Sequence, residues 1–150
     1  MLFPKKTLID LEWDRLLQHW AARCSCEEAA ERCLTAELRS QPAASAHLEL
    51  VGEFLNCLEK GDMPPSLPSL PVKESLLRIR AGGSASGECL RHIAKNLKLY
   101  IAIAHFLDNR RDCCPRNASL VVPLEGNSKL IKLSSLAAEI ESCFEPDGTV

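Results

Sequence analysis

Residues 86–107 read SGECLRHIAKNLKLYIAIAHFL, and this stretch decides the fold. Ser86 supplies a side-chain oxygen to the unpaired N–H groups that open a helix, so a long helix is expected over about Gly87–Leu107. Leu90, Ile93 and Leu97 line one side of its first half. From Leu99 onward, Ile101, Ile103, Ala104, Phe106 and Leu107 leave little polar surface. A helix that is apolar nearly all round packs on more than one side. The expected fold is therefore all-α, an irregular multi-helix domain of about six helices around this central one.

The flanking sequence fills in the other elements. Upstream, Val72–Arg80 predicts a short helix bearing Leu76, Leu77 and Ile79, ended by Gly82-Gly83. Residues 62–71 hold four prolines and fit neither helix nor central strand, so they are a connector. Leu48, Val51, Leu55 and Leu58 mark a helix capped by Ser45 and stopped by Gly61. Before it, Ser25-Cys26-Glu27-Glu28 reads as a capping box with Ser25 as N-cap, opening a helix with Ala30, Cys33, Leu34 and Leu38 inward. Gln41-Pro42 closes that element. Leu8 and Leu11 are out of phase with Trp13, Leu16, Leu17, Trp20 and Cys24, which gives a short helix up to about Glu12 and a second over about Asp14–Arg23.

Downstream, Asn109–Gly126 reads as loop with a short strand at Ser119–Val122. Leu130–Phe144 is a last helix, irregular near Ser134-Ser135. Pro146-Asp147-Gly148 is a turn, and Thr149-Val150 reads as the first step of a strand. No internal repeat is present, and residues 1–150 read as a single helical domain.

The 150 residues suit one domain with a real core, and 46% apolar against 25% charged residues excludes a disordered chain. Net charge is −2, but its distribution is uneven. Residues 1–69 carry a net −4, residues 70–132 a net +6, and the remainder −4. A basic middle between acidic ends points to a binding face. The N-terminal residues Met1–Lys6 lack the apolar core of a signal peptide, and no run approaches the roughly 18 apolar residues of a membrane span. A cytoplasmic location is expected, without membrane partners. The eight cysteines then read as reduced, small core residues, and the absence of any CxxC pair removes the zinc-finger and redox-motif readings.

Candidate chemistry is sparse. Cys89 and His92 stand three apart on the long helix, which is half a metal site lacking two further ligands. His19 with Cys24 and Cys26 lacks a third, orienting group for nucleophilic catalysis. Glu27, Glu28 and Glu31 are explained by the dipole of the helix they open. Residues 82–87 (GGSASG) run into a helix start, but Glu88 follows where a phosphate loop needs a Lys-Ser/Thr pair, so the segment is a stop followed by a start. No catalytic, cofactor or metal residue is assigned to this chain. The feature left standing is basic. Arg91, Lys95 and Lys98 fall at i, i+4 and i+7 on one flank of the long helix, with Arg78 and Arg80 before them and Arg110 and Arg111 after. These seven are the candidate nucleic-acid contacts, made to phosphate, since the aromatic interleaving needed for base stacking is missing.

Three segments, in order and at consistent spacing, carry a family resemblance. Residues 7–17 (TLIDLEWDRLL) resemble the opening of MutS-type proteins of the second bacterial branch, which often end in an Smr nuclease domain. Leu70-Pro71-Val72, followed by Leu76, Arg80, Gly82-Gly83, Ser86-Gly87-Glu88 and Leu90, resembles the next block of the same region. Glu141-Ser142-Cys143-Phe144 with Asp147-Gly148-Thr149-Val150 resembles its end. Ala85 stands where the family usually has a large aliphatic residue, and the chain is richer in cysteine than its relatives, so it resembles a divergent member.

The resemblance implies the N-terminal helical core domain of a larger, homodimeric ATPase that acts in mismatch repair, recombination control or ribosome rescue. Its partners would be branched or mismatched DNA, or the ribosome, together with the ATPase domains of the same chain. ATP and Mg would belong to the parent protein, whose motifs lie downstream, and this chain would hold no cofactor. It would be a non-catalytic module contributing scaffold and phosphate contacts. The alternative is a self-standing helical protein-interaction domain with residues 62–71 as a docking segment. A small metalloenzyme ranks behind both.

Overall fold

A computed structural model describes residues 3–66, 68–121 and 128–144. All regular structure among them is helical, with no strand. Eight helices are described where the sequence reading gives about six: α1 Lys5–Asp10, α2 Trp13–Ala21, α3 Glu27–Leu34, α4 Gln41–Glu59, α5 Lys73–Arg80, α6 Gly87–Asp108, α7 Pro115–Ser119 and α8 Ser128–Ser142. They divide into two compact units, Met1–Glu49 and Leu50–Val150, with the boundary falling inside α4.

In the first unit the phase change between Leu11 and Trp13 is a real break. Glu12 adopts a left-handed backbone (φ 49°) between α1 and α2, a conformation that costs a non-glycine residue energy. Its carboxylate accepts from Arg15 at 2.9 Å. Helix α2 packs on α3, and Leu17 is its buried residue. Trp13 meets Trp20 edge to face at 6.0 Å and donates its indole N–H to the Ala36 carbonyl. The capping box is not formed. Cys26 rather than Ser25 is the N-cap of α3, without a side-chain cap bond. Gln41-Pro42 does not close an element but opens α4, because a proline in the first turn gives up an N–H that has no helical partner there.

The second unit holds the main core. Ala104, Phe106 and Leu107 of α6, Ala118 of α7, Val121 and Leu130 of α8 are buried together, with Phe54, Tyr100, Ile101, Ile103 and Leu133 packed around them. The expected long central helix is α6. Helices α6 and α8 pack against each other, and Ala94 and Ala104 of α6 and Ala137 of α8 are buried. Helix starts and stops follow local chemistry. Ser86 accepts from the Cys89 N–H at 3.3 Å and caps α6. Gly61 (φ 82°) ends α4, with Asp62 N–H returning to the Cys57 carbonyl. Gly82 (φ 83°) ends α5, and Gly83 N–H returns to Arg78.

Residues 109–121 differ from expectation. Pro115–Ser119 is a helical turn and Leu120 is its αR C-cap, so no strand begins at Ser119. The reason is distant in sequence: Glu53 of α4 turns its carboxylate onto the start of α7, accepting from Arg116 N–H at 3.0 Å, Asn117 N–H at 3.1 Å and the Asn117 side chain at 3.1 Å. Helix α8 is continuous through Ser134-Ser135. The turn at 146–148 and the strand step at Thr149-Val150 lie outside the described residues. Among the described residues, no helix is long and apolar enough to cross a membrane.

Candidate functional site

The seven basic residues divide by what the fold gives them. Arg110 donates to Asp62 at 2.8 Å, to the Phe106 carbonyl at 3.1 Å, and lies 4.0 Å above the Phe106 ring. The Asp62 hydrogen bond raises the Arg110 pKa further above its ordinary value, and the same contact lowers that of Asp62. Arg111 pairs with Asp108 at 2.6 Å, one turn back. Lys98 pairs with Glu141 of α8 at 2.6 Å across an exposed surface. Arg91 lies over the Phe144 ring at 5.0 Å, with its Nε buried and without an acceptor. Lys95, Arg78 and Arg80 are exposed and make no ion pair among the described residues. The row Arg91, Lys95 and Lys98 thus lies beside α8, with its two ends engaged and its middle open to solvent.

The sulfur chemistry is more organised than spacing suggests. Cys89 accepts from the Ser75 hydroxyl at 3.1 Å, and this bond, followed by Ser86, lowers its pKa. No further metal donor joins Cys89 and His92 among the described residues. Cys24 lies 3.6 Å from Cys33, sulfur to sulfur, and the bond between them raises the Cys24 pKa, which disfavours a nucleophilic thiolate there.

Cys57 at the end of α4 and Cys113 and Cys114 before α7 form the one grouping of metal-type donors among the described residues, all three sulfurs lying within 4.8 Å of one another. Cys57 and Cys113 are 3.8 Å apart. Cys57 and Cys114 are buried, and Cys113 is half-buried. Cys114 donates to the Glu53 carbonyl at 3.3 Å and Cys113 to that of Arg110 at 3.5 Å. Burial first, then the neighbouring Cys57, pushes the Cys114 thiol up to about 12. Sequence reading treats these residues as separate core fillers, because 56 positions separate Cys57 from Cys113. The adjacent pair Cys113-Cys114 is the one local signal.

Helix α4 also carries the clearest unpartnered apolar surface. Leu50, Val51, Phe54 and Leu55, with Asn117 of α7, line a shallow apolar depression of about 260 Å³. Val51 and Leu55 are about half exposed. Leu76 and Leu77 of α5 are likewise about half exposed. Comparison with family models, with curated proteins and with solved structures finds no match to the chain.

Proposed function

We propose that the chain is a non-catalytic helical module of a MutS-like DNA-acting ATPase, serving as scaffold through apolar helix faces that dock on the rest of that protein. The observation that carries the reading is the depression on α4. Val51 and Leu55 stand at i and i+4 beside Leu50 and Phe54, a contiguous apolar stripe on a regular helix rather than scattered exposure. Such a stripe is what a module leaves open for its neighbour. The family resemblance supplies the neighbour: the ATPase and lever domains of the same polypeptide. Phosphate contacts would fall to Arg78, Arg80 and Lys95, which of the seven candidate basic residues are the exposed ones without an ion pair among the described residues.

An antibody against this chain, used on a blot of source cells, tests the module reading. A band several times heavier than 16.5 kDa is expected. A band at the chain's own mass would withdraw the ATPase context. One observation favours the second reading, a protein-interaction domain docking through residues 62–71. The connector is tied at both ends, by Asp62 to Arg110 and by the Leu70 backbone to Asn96, and presents Met63 to solvent between them.

A further inference from the structure

We infer that Cys57, Cys113 and Cys114 form a zinc site, binding one Zn²⁺ through three thiolates with the fourth position left to water on the Cys113 side.

The first support is distance. Two thiolates bound at the usual Zn–S length of about 2.3 Å on a tetrahedral ion stand about 3.8 Å apart. Cys57 and Cys113 already have their sulfurs at 3.8 Å, far outside the S–S bond length of about 2.05 Å. The third sulfur, of Cys114, lies within 4.8 Å of both, at most about 1 Å beyond the tetrahedral spacing, and would give up its hydrogen bond to the Glu53 carbonyl to join the set. The second support is placement. Cys113 and Cys114 enter from the segment between α6 and α7, and Cys57 from the last turn of α4. The donor set is thus held by elements that the core fixes independently. Half-exposed Cys113 gives an ion a path in, while buried Cys57 and Cys114 shield it from competing water.

The third support is charge. Zn²⁺ displaces three thiol protons, which leave to solvent, so the site passes from neutral to a net −1. Arg110 adjoins the cluster, its carbonyl accepting from the Cys113 thiol at 3.5 Å, and its buried Nε has no acceptor. Its guanidinium also pairs with Asp62, so it offsets only part of the charge the complex acquires. No electron transfer is involved, and the site stands or falls independently of the ATPase context.

The test uses the full, reduced 150-residue chain titrated with Co²⁺ as a spectroscopic stand-in, then with Zn²⁺. One Co²⁺ per chain is expected, with thiolate-to-cobalt charge transfer and tetrahedral visible bands, both lost when Zn²⁺ is added. Cys113→Ser should abolish the signal, whereas a Cys24→Ser, Cys33→Ser double variant should keep it. Because Cys113 is only half-buried, its serine variant is expected to fold, which far-ultraviolet circular dichroism checks. On the unaltered chain, Zn²⁺ should slow alkylation of Cys113 by about tenfold or more and leave that of Cys26 unchanged. Absence of thiolate charge transfer, its survival in Cys113→Ser, or its loss in the Cys24/Cys33 variant would overturn the assignment. Equal alkylation of Cys113 with and without Zn²⁺ would do the same.

Discussion

Asp62 shows how one side chain ties the end of a helix to the core. It follows Gly61 past the end of α4, its N–H returns to Cys57, and its carboxylate accepts from Arg110, which is itself stacked on Phe106. Because the Arg110 hydrogen bond holds the Asp62 carboxyl below its ordinary value of 3.8, the ionised form is favoured in the fold over the unfolded chain. That contribution is fully present above the unfolded pKa and is lost as pH falls through the lower, folded pKa. Asp62→Asn should therefore be less stable than the parent near neutral pH. The gap in urea midpoint should close as pH is lowered below the ordinary carboxylate range and through the depressed Asp62 value. A gap that stays constant with pH would mean that the ion pair does not couple to folding.

The helical elements separate into those set by their own residues and those set from afar. Gly61, Gly82 and Ser86 act within one turn of the termini they define, so the ends of α4 and α5 and the start of α6 are legible in sequence. The apolar second half of α6 is legible for the same reason, since its periodicity needs no partner to be read. Helix α7 is the opposite case. Five residues cannot sustain a helix alone, and its free N–H groups are met by Glu53, more than sixty positions away. Nothing near Pro115 announces that carboxylate. The cysteine cluster escapes notice likewise, because it exists only once the end of α4 is brought against the residues before α7. Ser25 shows the converse failure: its pattern fits a capping box, yet the helix starts two residues later, after Cys26. Removing the distant cap gives a measurable cost. Glu53→Ala should lose about 1–2 kcal/mol in urea unfolding, as for removal of an N-cap. Glu53→Gln, which retains an acceptor oxygen, should lose less. Equal losses for the two would indicate that the carboxylate's charge, not its geometry, holds α7.

For the whole chain, net charge −2 conceals a basic centre, and of its seven candidate contacts the fold gives three to internal ion pairs: Lys98 to Glu141, Arg110 to Asp62, Arg111 to Asp108. What is left for a polyanion is narrower than the sequence suggests. If the chain touches nucleic acid, binding to duplex DNA should be weak and fall steeply with salt. Replacing Arg78, Arg80 and Lys95 with Glu should remove it, and each single change should make the salt dependence shallower by about 0.9 in slope for every phosphate left unneutralised. Unchanged affinity in the triple variant would make these residues a solvated face. The connector between α4 and α5 carries a different lesson. Asn96 accepts from the Leu70 N–H at 2.9 Å and donates to the Leu70 carbonyl at 2.7 Å, as a neighbouring strand would. Both bonds are to main-chain atoms, so this clasp is blind to which side chain stands at position 70, proline excepted. Over evolutionary time the two positions then carry unequal information: through this contact, drift is open to residue 70 and closed to residue 96.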